Sequence, residues 1–322
     1  MRILATTMLS ATVIALAACA GGSPHNAIKP TLPEVGILSA GPGSAFLPYA
    51  QGAAAFLSAQ GLKSTALESR GSIENMQRVQ SDPTVIGMVF MGTAHEGANA
   101  SAPWTQGRKL DKVRALLPMY ETSFQLVALK SARIASLSDL RDKRVGVGPA
   151  KGPAESFFVG LMESLGIPFK LVNGTPAALA AELKAGKIDA LWQGAPPPIP
   201  TIKEVTDNAD AVVFGLQDPE LQAMRKRFPF LSPATVPPGT YKGQSKTIQS
   251  VAAWNFLIAH QDFPEADAYW ITRALLGSSD PRAQIHASAG PTRAENAPNN
   301  NVLAFHPGAL RYYRERAIPG LK

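Results

Sequence analysis

Two imidazoles four residues apart share one helix face and can bind zinc, with a Glu beside the first as general base. His95-Glu96-Gly97-Ala98-Asn99 starts that pattern but carries Asn where the second imidazole must stand, so the metal face is incomplete. A Gly-rich turn between a strand and a helix can cradle a dinucleotide. Gly146-Val147-Gly148-Pro149-Ala150-Lys151-Gly152 comes near it, yet its last Gly falls one position late and Pro153 crowds the turn. No P-loop is present, no Ser stands in the G-x-S-x-G frame of a nucleophile elbow, and the His residues at 25, 260, 286 and 306 are too scattered for a local metal motif. The expectation is therefore no catalytic residue, no metal and no cofactor. A triad assembled only in the tertiary structure stays open as the least favoured reading, that of an exported enzyme.

What the chemistry-bearing residue types do offer is a binding cleft. In open α/β sheets ligands lie beyond the carboxyl ends of the strands, where helix starts present unpaired N–H groups and the positive ends of their dipoles. Residues 40–46, 70–75 and 148–155 each combine small residues with the start of a predicted helix. Such Gly and Ser residues also serve as plain turns and caps. Three loops of this kind on two units favour a shared cleft over any single one.

The elements that must position these loops follow from hydrophobic period and punctuation. Strands are predicted over residues 35–39, 63–68 and 85–90, with a helix over 47–60 stopped by Gly61 and a second opened at 71–75 with Ser72 as its cap. A second unit repeats the pattern: a strand over 143–148, a helix from Pro153 to Gly166, a strand over 169–172, an Ala-rich helix over 176–185 and a strand over 188–192. Residues 113–130 and 247–260 are apolar runs too long for one ordinary strand and read as crossings between lobes. The domain reading is a lobe of 34–123 plus 236–322 and an inserted lobe of 124–235.

Composition narrows the partners. The chain has 322 residues, 45% hydrophobic and 17% charged, enough for a folded two-domain protein, and a net charge of +7. Its cations are dispersed, with the densest group at Arg311, Arg314, Arg316 and Lys322, and no nucleic-acid-binding motif accompanies them. Nucleic acid is not an expected partner. Arg2 precedes an apolar run from Ile3 to Leu16 that is too short for a membrane span and reads as a secretory h-region. It ends in Leu16-Ala17-Ala18-Cys19, and Cys19 is the one Cys in the chain. This resembles the lipobox of bacterial lipoproteins, which implies a signal peptide over 1–19, lipid attachment at Cys19 and a periplasmic or cell-envelope location with a membrane anchor. Ala18-Cys19-Ala20 also satisfies an ordinary cleavage pattern, which would export the chain without lipid. Residues 20–33, rich in Gly, Pro, Asn and Ser, read as a flexible tether.

Five stretches carry a wider resemblance. They are Gly71-Ser72-Ile73-Glu74-Asn75, LSDLRDKRVGV at 137–147, LKAGKIDA at 183–190, FPFLSPATVPPGT at 228–240 with Tyr241, and His306-Pro307-Gly308-Ala309-Leu310-Arg311-Tyr312-Tyr313. Together the chain resembles the TAXI subfamily of solute receptors for TRAP transporters over nearly its whole mature length. The resemblance implies an α/β, two-lobed periplasmic-binding-protein (type II) fold, each lobe a mainly parallel sheet flanked by helices. It also implies a receptor that closes on a small, carboxylate-bearing solute such as glutamate and delivers it to a TRAP-type membrane permease driven by an ion gradient. A ligand-sensing lipoprotein that signals to a membrane partner is the alternative use of the same fold.

The departures from that family sit at the cleft. Where the family's first loop reads G-S-T-G-G-T-Y-Y-P, this chain has Ala40-Gly41-Pro42-Gly43-Ser44-Ala45-Phe46-Leu47-Pro48, losing a hydroxyl and both phenols. Where it reads G-P-P-G-S-G-T-E, Lys151 replaces a Gly and Ala154 the Thr; the stretch often read as Q-S-D is Phe90-Met91-Gly92. The expected solute-binding set is Gly43, Ser44, Phe46, Ser72, Asn75, Phe90, Tyr120, Lys151, Ala154, Trp192 and Gln193. Ser44, Ser72, Asn75, Tyr120 and Gln193 are its polar members, and Phe46, Phe90 and Trp192 its apolar walls. A monoanionic solute with an apolar tail is expected to suit such a site better than glutamate.

Overall fold

Short Val- and Ile-rich runs punctuated by Gly and Pro form strands and helices in close alternation. The computed structural model describes residues 29–41, 44–150 and 152–321. The expected signal peptide, Cys19, Gly43, Lys151 and most of the expected tether lie outside them. The first half contains β1 (Glu34–Leu38), α1 (Phe46–Ala59), β2 (Lys63–Leu67), α2 (Ser72–Ser81), β3 (Val85–Phe90) and α3 (Met91–Asn99). β4 (Val113–Leu129) leads into the second half, with β5 (Arg144–Gly146), α4 (Pro153–Leu165), β6 (Lys170–Val172), α5 (Pro176–Lys184), β7 (Ala190–Ala195), α6 (Pro200–Asn208), β8 (Ala211–Phe214), α7 (Asp218–Arg227) and β9 (Ser232–Val236). β10 (Ile248–His260) leads back to α8 (Glu265–Leu276), α9 (Pro281–Gln284) and α10 (Pro307–Glu315).

The strands form one mixed sheet of order β2-β1-β3-β10-β4-β7-β5-β6, with β8 beside β4 and β9 beside β10. Outer strands pair in parallel, β2-β1-β3 on one side and β7-β5-β6 on the other. The two crossing strands β4 and β10 run antiparallel to each other and to these neighbours. β10 pairs with β3 through residues 255–259, and β4 with β7 through residues 123–128, so the two halves hang from opposite sides of one strand pair. Helices cover both faces of each half. α1, α8 and α10 pack on one core of the first half and α2 and α3 on the other, while α4 and α7, then α5 and α6, do the same in the second. β3 is buried along residues 85–89, as a central strand with helices on both faces must be.

Three expectations change in detail. Ser72 is not a cap: Gly71 takes the N-cap position with a left-handed φ of 95° and Ser72 is the first helical residue. The strand expected over 143–148 shortens to β5, because Gly148 turns the chain with φ 82°. The strand expected over 188–192 moves to β7, since residues 186–189 form the turn that follows α5. The body is also secured where the chain enters it. The backbone N–H of Thr31 donates to the buried Asp267 of α8 at 2.7 Å, joined by the Thr31 hydroxyl and the Leu32 N–H. Among the described residues no helix is long and apolar enough to cross a membrane.

Candidate functional site

The carboxyl ends of β1 and β3 in one half, and of β5 and β7 in the other, meet over the crossing strands. On the first side, the buried Asn75 of α2 donates to the carbonyls of Ser39 and Met88, both at 2.7 Å, and accepts from the Ser69 hydroxyl at 2.7 Å. Gly87 permits this approach, since a Cβ there would lie 3.3 Å from the Asn75 Cβ. Asn75 therefore positions the strand ends, and its amide groups are occupied within the protein. The Ser72 hydroxyl accepts from the Phe90 N–H at 3.0 Å, pinning the end of β3 to the start of α2. The Ser44 hydroxyl accepts from the Phe46 N–H at 3.2 Å and shapes the entry to α1, while the Phe46 ring is buried in the first core.

On the second side, Trp192 is fully buried and stacks on Phe124 at 5.5 Å. Its indole N–H donates to the Ala154 carbonyl at 3.0 Å, so it fixes the first turn of α4 and offers no wall to a solute. Ala154 itself is partly exposed at that turn. Gln193 is 8% exposed; its Nε2 donates to the Gly194 carbonyl at 3.3 Å and its Oε1 has no partner.

Between the halves the contact is aromatic. Phe90, at the end of β3, stacks on Phe157 of α4 with centroids 6.0 Å apart and meets Phe230 edge-on at 6.4 Å. His95 of α3 lies against Phe230 at 5.5 Å. Phe157 and Phe230 complete the wall that Phe90 begins. Phe157 is legible in the sequence only as part of the apolar face of a helix, and Phe230 only as part of the stretch at 228–240.

The floor is β4. Tyr120 is 4% exposed beside Tyr49 at 5.8 Å, and among the described residues its hydroxyl makes no hydrogen bond. Burial pushes that phenol far above its ordinary value, so it stays a donor. The Tyr49 hydroxyl is engaged with Thr292 at 2.7 Å, which donates to the Met119 carbonyl. Glu121 follows, half-buried opposite Trp254 and without a hydrogen bond or ion pair among the described residues; burial pushes its carboxyl up. Glu121 follows Tyr120 in the chain, and the motifs gave no reason to single it out.

The zinc-like start at His95 is used structurally: Glu96 accepts from the Trp104 indole at 2.8 Å, and Asn99 donates to the His95 carbonyl at 2.9 Å. Among the described residues no three His, Cys, Asp or Glu side chains gather as a metal site.

Residues 37–316 match the model of a family described as the NMT1-like family. Among solved structures, MatC of Rhodopseudomonas palustris with bound malate is 15% identical over 87% of this chain and 98% of that one, at a TM-score of 0.50. A TctC solute-binding protein from Polaromonas, without ligand, is 12% identical over 76% of this chain and 83% of that one, at 0.52. At these identities the likeness shows the fold, the α/β architecture of periplasmic binding proteins.

Proposed function

Because this chain belongs to the NMT1-like family, we propose that it is an extracytoplasmic solute receptor, doing no bond chemistry, whose cleft closes on a small carboxylate. The observation that carries this reading is Tyr120, a 4%-exposed side chain whose hydroxyl makes no hydrogen bond among the described residues, on the strand between two converging sets of helix starts. A neutral phenol in a dry site donates strongly to an anion. The unpaired N–H groups at the starts of α2 and α4 add two further donor clusters. Lys151 and Gly43 belong to the same loops, with Ser44, Ser72 and Ala154 setting their shape. The malate held by MatC is compatible with a carboxylate here.

The same geometry sets selectivity. Phe90, Phe157 and Phe230 offer an apolar wall to a tail, and Ala45, Ala154, Phe46 and Leu47 offer no side-chain partner to a second charged group. Each buried solute group left unpaired costs about 1 to 3 kcal/mol. The preferred solute is a monocarboxylate with an apolar tail, and glutamate binds weakly. A thermal-shift screen of the full purified chain against monocarboxylates, dicarboxylates, amino acids and sugars tests this. Monocarboxylates should raise the melting temperature most; glutamate or a neutral sugar as the best ligand would contradict the reading.

The partner we infer is a TRAP-type permease, supported by the five stretches that resemble TAXI receptors. The lobes are taken as 34–123 with 236–322, and 124–235, hinged at the crossing strands. Anchoring through Cys19 in the cell envelope completes the reading. Changing Cys19 to Ser should move the protein from the membrane to the soluble fraction and abolish palmitate labelling, and unchanged partitioning would refute the anchor.

A further inference from the structure

Between α2 and the loop that joins α3 to β4 lies a cavity of about 380 Å³, within the size range of small-molecule sites. Gln77 of α2 lines one side and Trp104, Arg108 and Lys109 of the loop another, and the buried Leu110 is part of the lining. Val113, where β4 starts just after this loop, precedes Tyr120 by seven residues, about 23 Å of strand. None of the residues assigned to the solute cleft lines this cavity.

The loop is held in one shape. Gln106 takes a left-handed φ of 53°, uncommon for a residue with a Cβ. It is kept there by the Gln106 N–H donating to the Pro103 carbonyl and the Arg108 N–H to the Thr105 carbonyl, both at 3.1 Å, and by the Thr105 hydroxyl donating to the Ala102 carbonyl at 2.7 Å. The Gln106 side chain also orients the cation beside it: Arg108 Nη2 donates to Gln106 Oε1 at 3.1 Å, and the other guanidinium N–H groups stay open to a guest. Among the described residues neither Arg108 nor Lys109 has an ion pair, and the Lys109 ammonium makes no hydrogen bond. No Asp or Glu lines the cavity, and the neighbouring Asp111 carboxylate accepts from Gln80 Nε2 at 3.3 Å. The Trp104 indole N–H is committed to Glu96, so its ring offers the cavity apolar surface and no donor. Two cations without an acid and a ring without a free donor thus share one cavity.

We propose that this cavity is a second binding site, separate from the solute cleft, for a flat ring that carries a doubly charged anionic group, the chemistry of an aryl phosphate. The anion lies between Arg108, whose planar fork matches phosphate oxygens two at a time, and Lys109, which supplies the second charge. The ring lies on Trp104, where stacking adds to the area buried. A phosphate monoester carries about 1.5 to 2 negative charges at pH 7 and so uses both cations, whereas a monocarboxylate leaves one of them over. The site stands independently of the receptor reading above.

Calorimetry on the full chain, at low ionic strength where exposed cations are least screened, tests it with three probes: phenyl phosphate, inorganic phosphate without the ring, and phenol without the charge. Phenyl phosphate should bind about tenfold more tightly than either of the others. Arg108 and Lys109 are exposed, and in the double variant Arg108→Gln, Lys109→Gln the affinity for phenyl phosphate should fall about tenfold. Trp104→Leu should cut the advantage of phenyl phosphate over inorganic phosphate to about twofold or less. Far-ultraviolet circular dichroism and the melting temperature check that each variant folds, and the wild-type comparison and the double variant decide the matter if Trp104→Leu does not. Equal affinities for phenyl phosphate and inorganic phosphate would overturn the ring's part and the proposal with it. Undiminished binding in the double variant would put the anion elsewhere, and absence of phenyl phosphate binding would overturn the site outright.

Discussion

Asn75 joins three backbone segments through one amide, because its side chain enters the sheet where β1 and β3 end. Asn75→Ala takes this donor from the Met88 carbonyl and leaves the Ser39 carbonyl only the Ser69 hydroxyl, at about 1 to 3 kcal/mol in all. Urea unfolding should show a loss of unfolding free energy of that size, and a loss below about 0.5 kcal/mol would show that the carbonyls find other donors. His306 gives a pH-dependent counterpart. It caps α10, its Nδ1 accepting from the Gly308 N–H at 3.2 Å while Nε2 is buried without a partner. Burial lowers its pKa, opposed in part by the carbonyls of Phe263 and Gln261 and by Glu265. The unfolded chain, with a value near 6.5, then binds the proton more readily, so stability is level above about pH 6.5 and falls as pH drops towards the lowered folded value. His306→Asn keeps a capping oxygen and removes the titration. The loss of melting temperature on acidification should be smaller in that variant, and equal losses would contradict the assignment. These roles were only half legible. Asn75 and Trp192 have the residue types and loop positions of ligand contacts, but their partners, Ser39, Met88 and Ala154, are remote in sequence or carry no side-chain signal.

Elements framed by strong punctuation read well from sequence. α4 begins at Pro153 and ends before Gly166 with φ 64°, and β3 runs over the expected residues. α3 was not legible because it follows β3 without a turn residue between them, its N-cap being Phe90 itself. The later helices, α6 to α10, vary in length and start from Pro-containing or irregular stretches, so period alone did not separate them from loops. Packing between elements carries its own test. α1 passes so close to the end of α9 that a Cβ on Gly52 would fall 1.8 Å from the Ile285 carbonyl oxygen. Backbone cannot rotate away as a side chain can, so Gly52→Ala must displace one helix, at about 1 to 3 kcal/mol or more. A melting temperature within a degree or so of wild type would show that the contact yields easily.

At the scale of the whole molecule, the two long apolar runs at 113–130 and 247–260 revealed the architecture, because a strand longer than one sheet needs must serve two. They became β4 and β10, and one sheet passes through them, with register shifts in their ladder at residues 254–256 and 257–258. What was not legible is that the halves also touch through rings, Phe90 on Phe157 and His95 on Phe230, because nothing within any one of these elements marks its partner in the other half. A solute bound among these rings contacts both halves, and its differential affinity favours the closed arrangement over an open one hinged at the crossing strands. Small-angle X-ray scattering of the full chain, titrated with the monocarboxylate that gives the largest thermal shift, tests this account directly. The radius of gyration should fall saturably, with a midpoint matching the calorimetric affinity; a scattering curve unchanged at saturation would contradict closure around a solute.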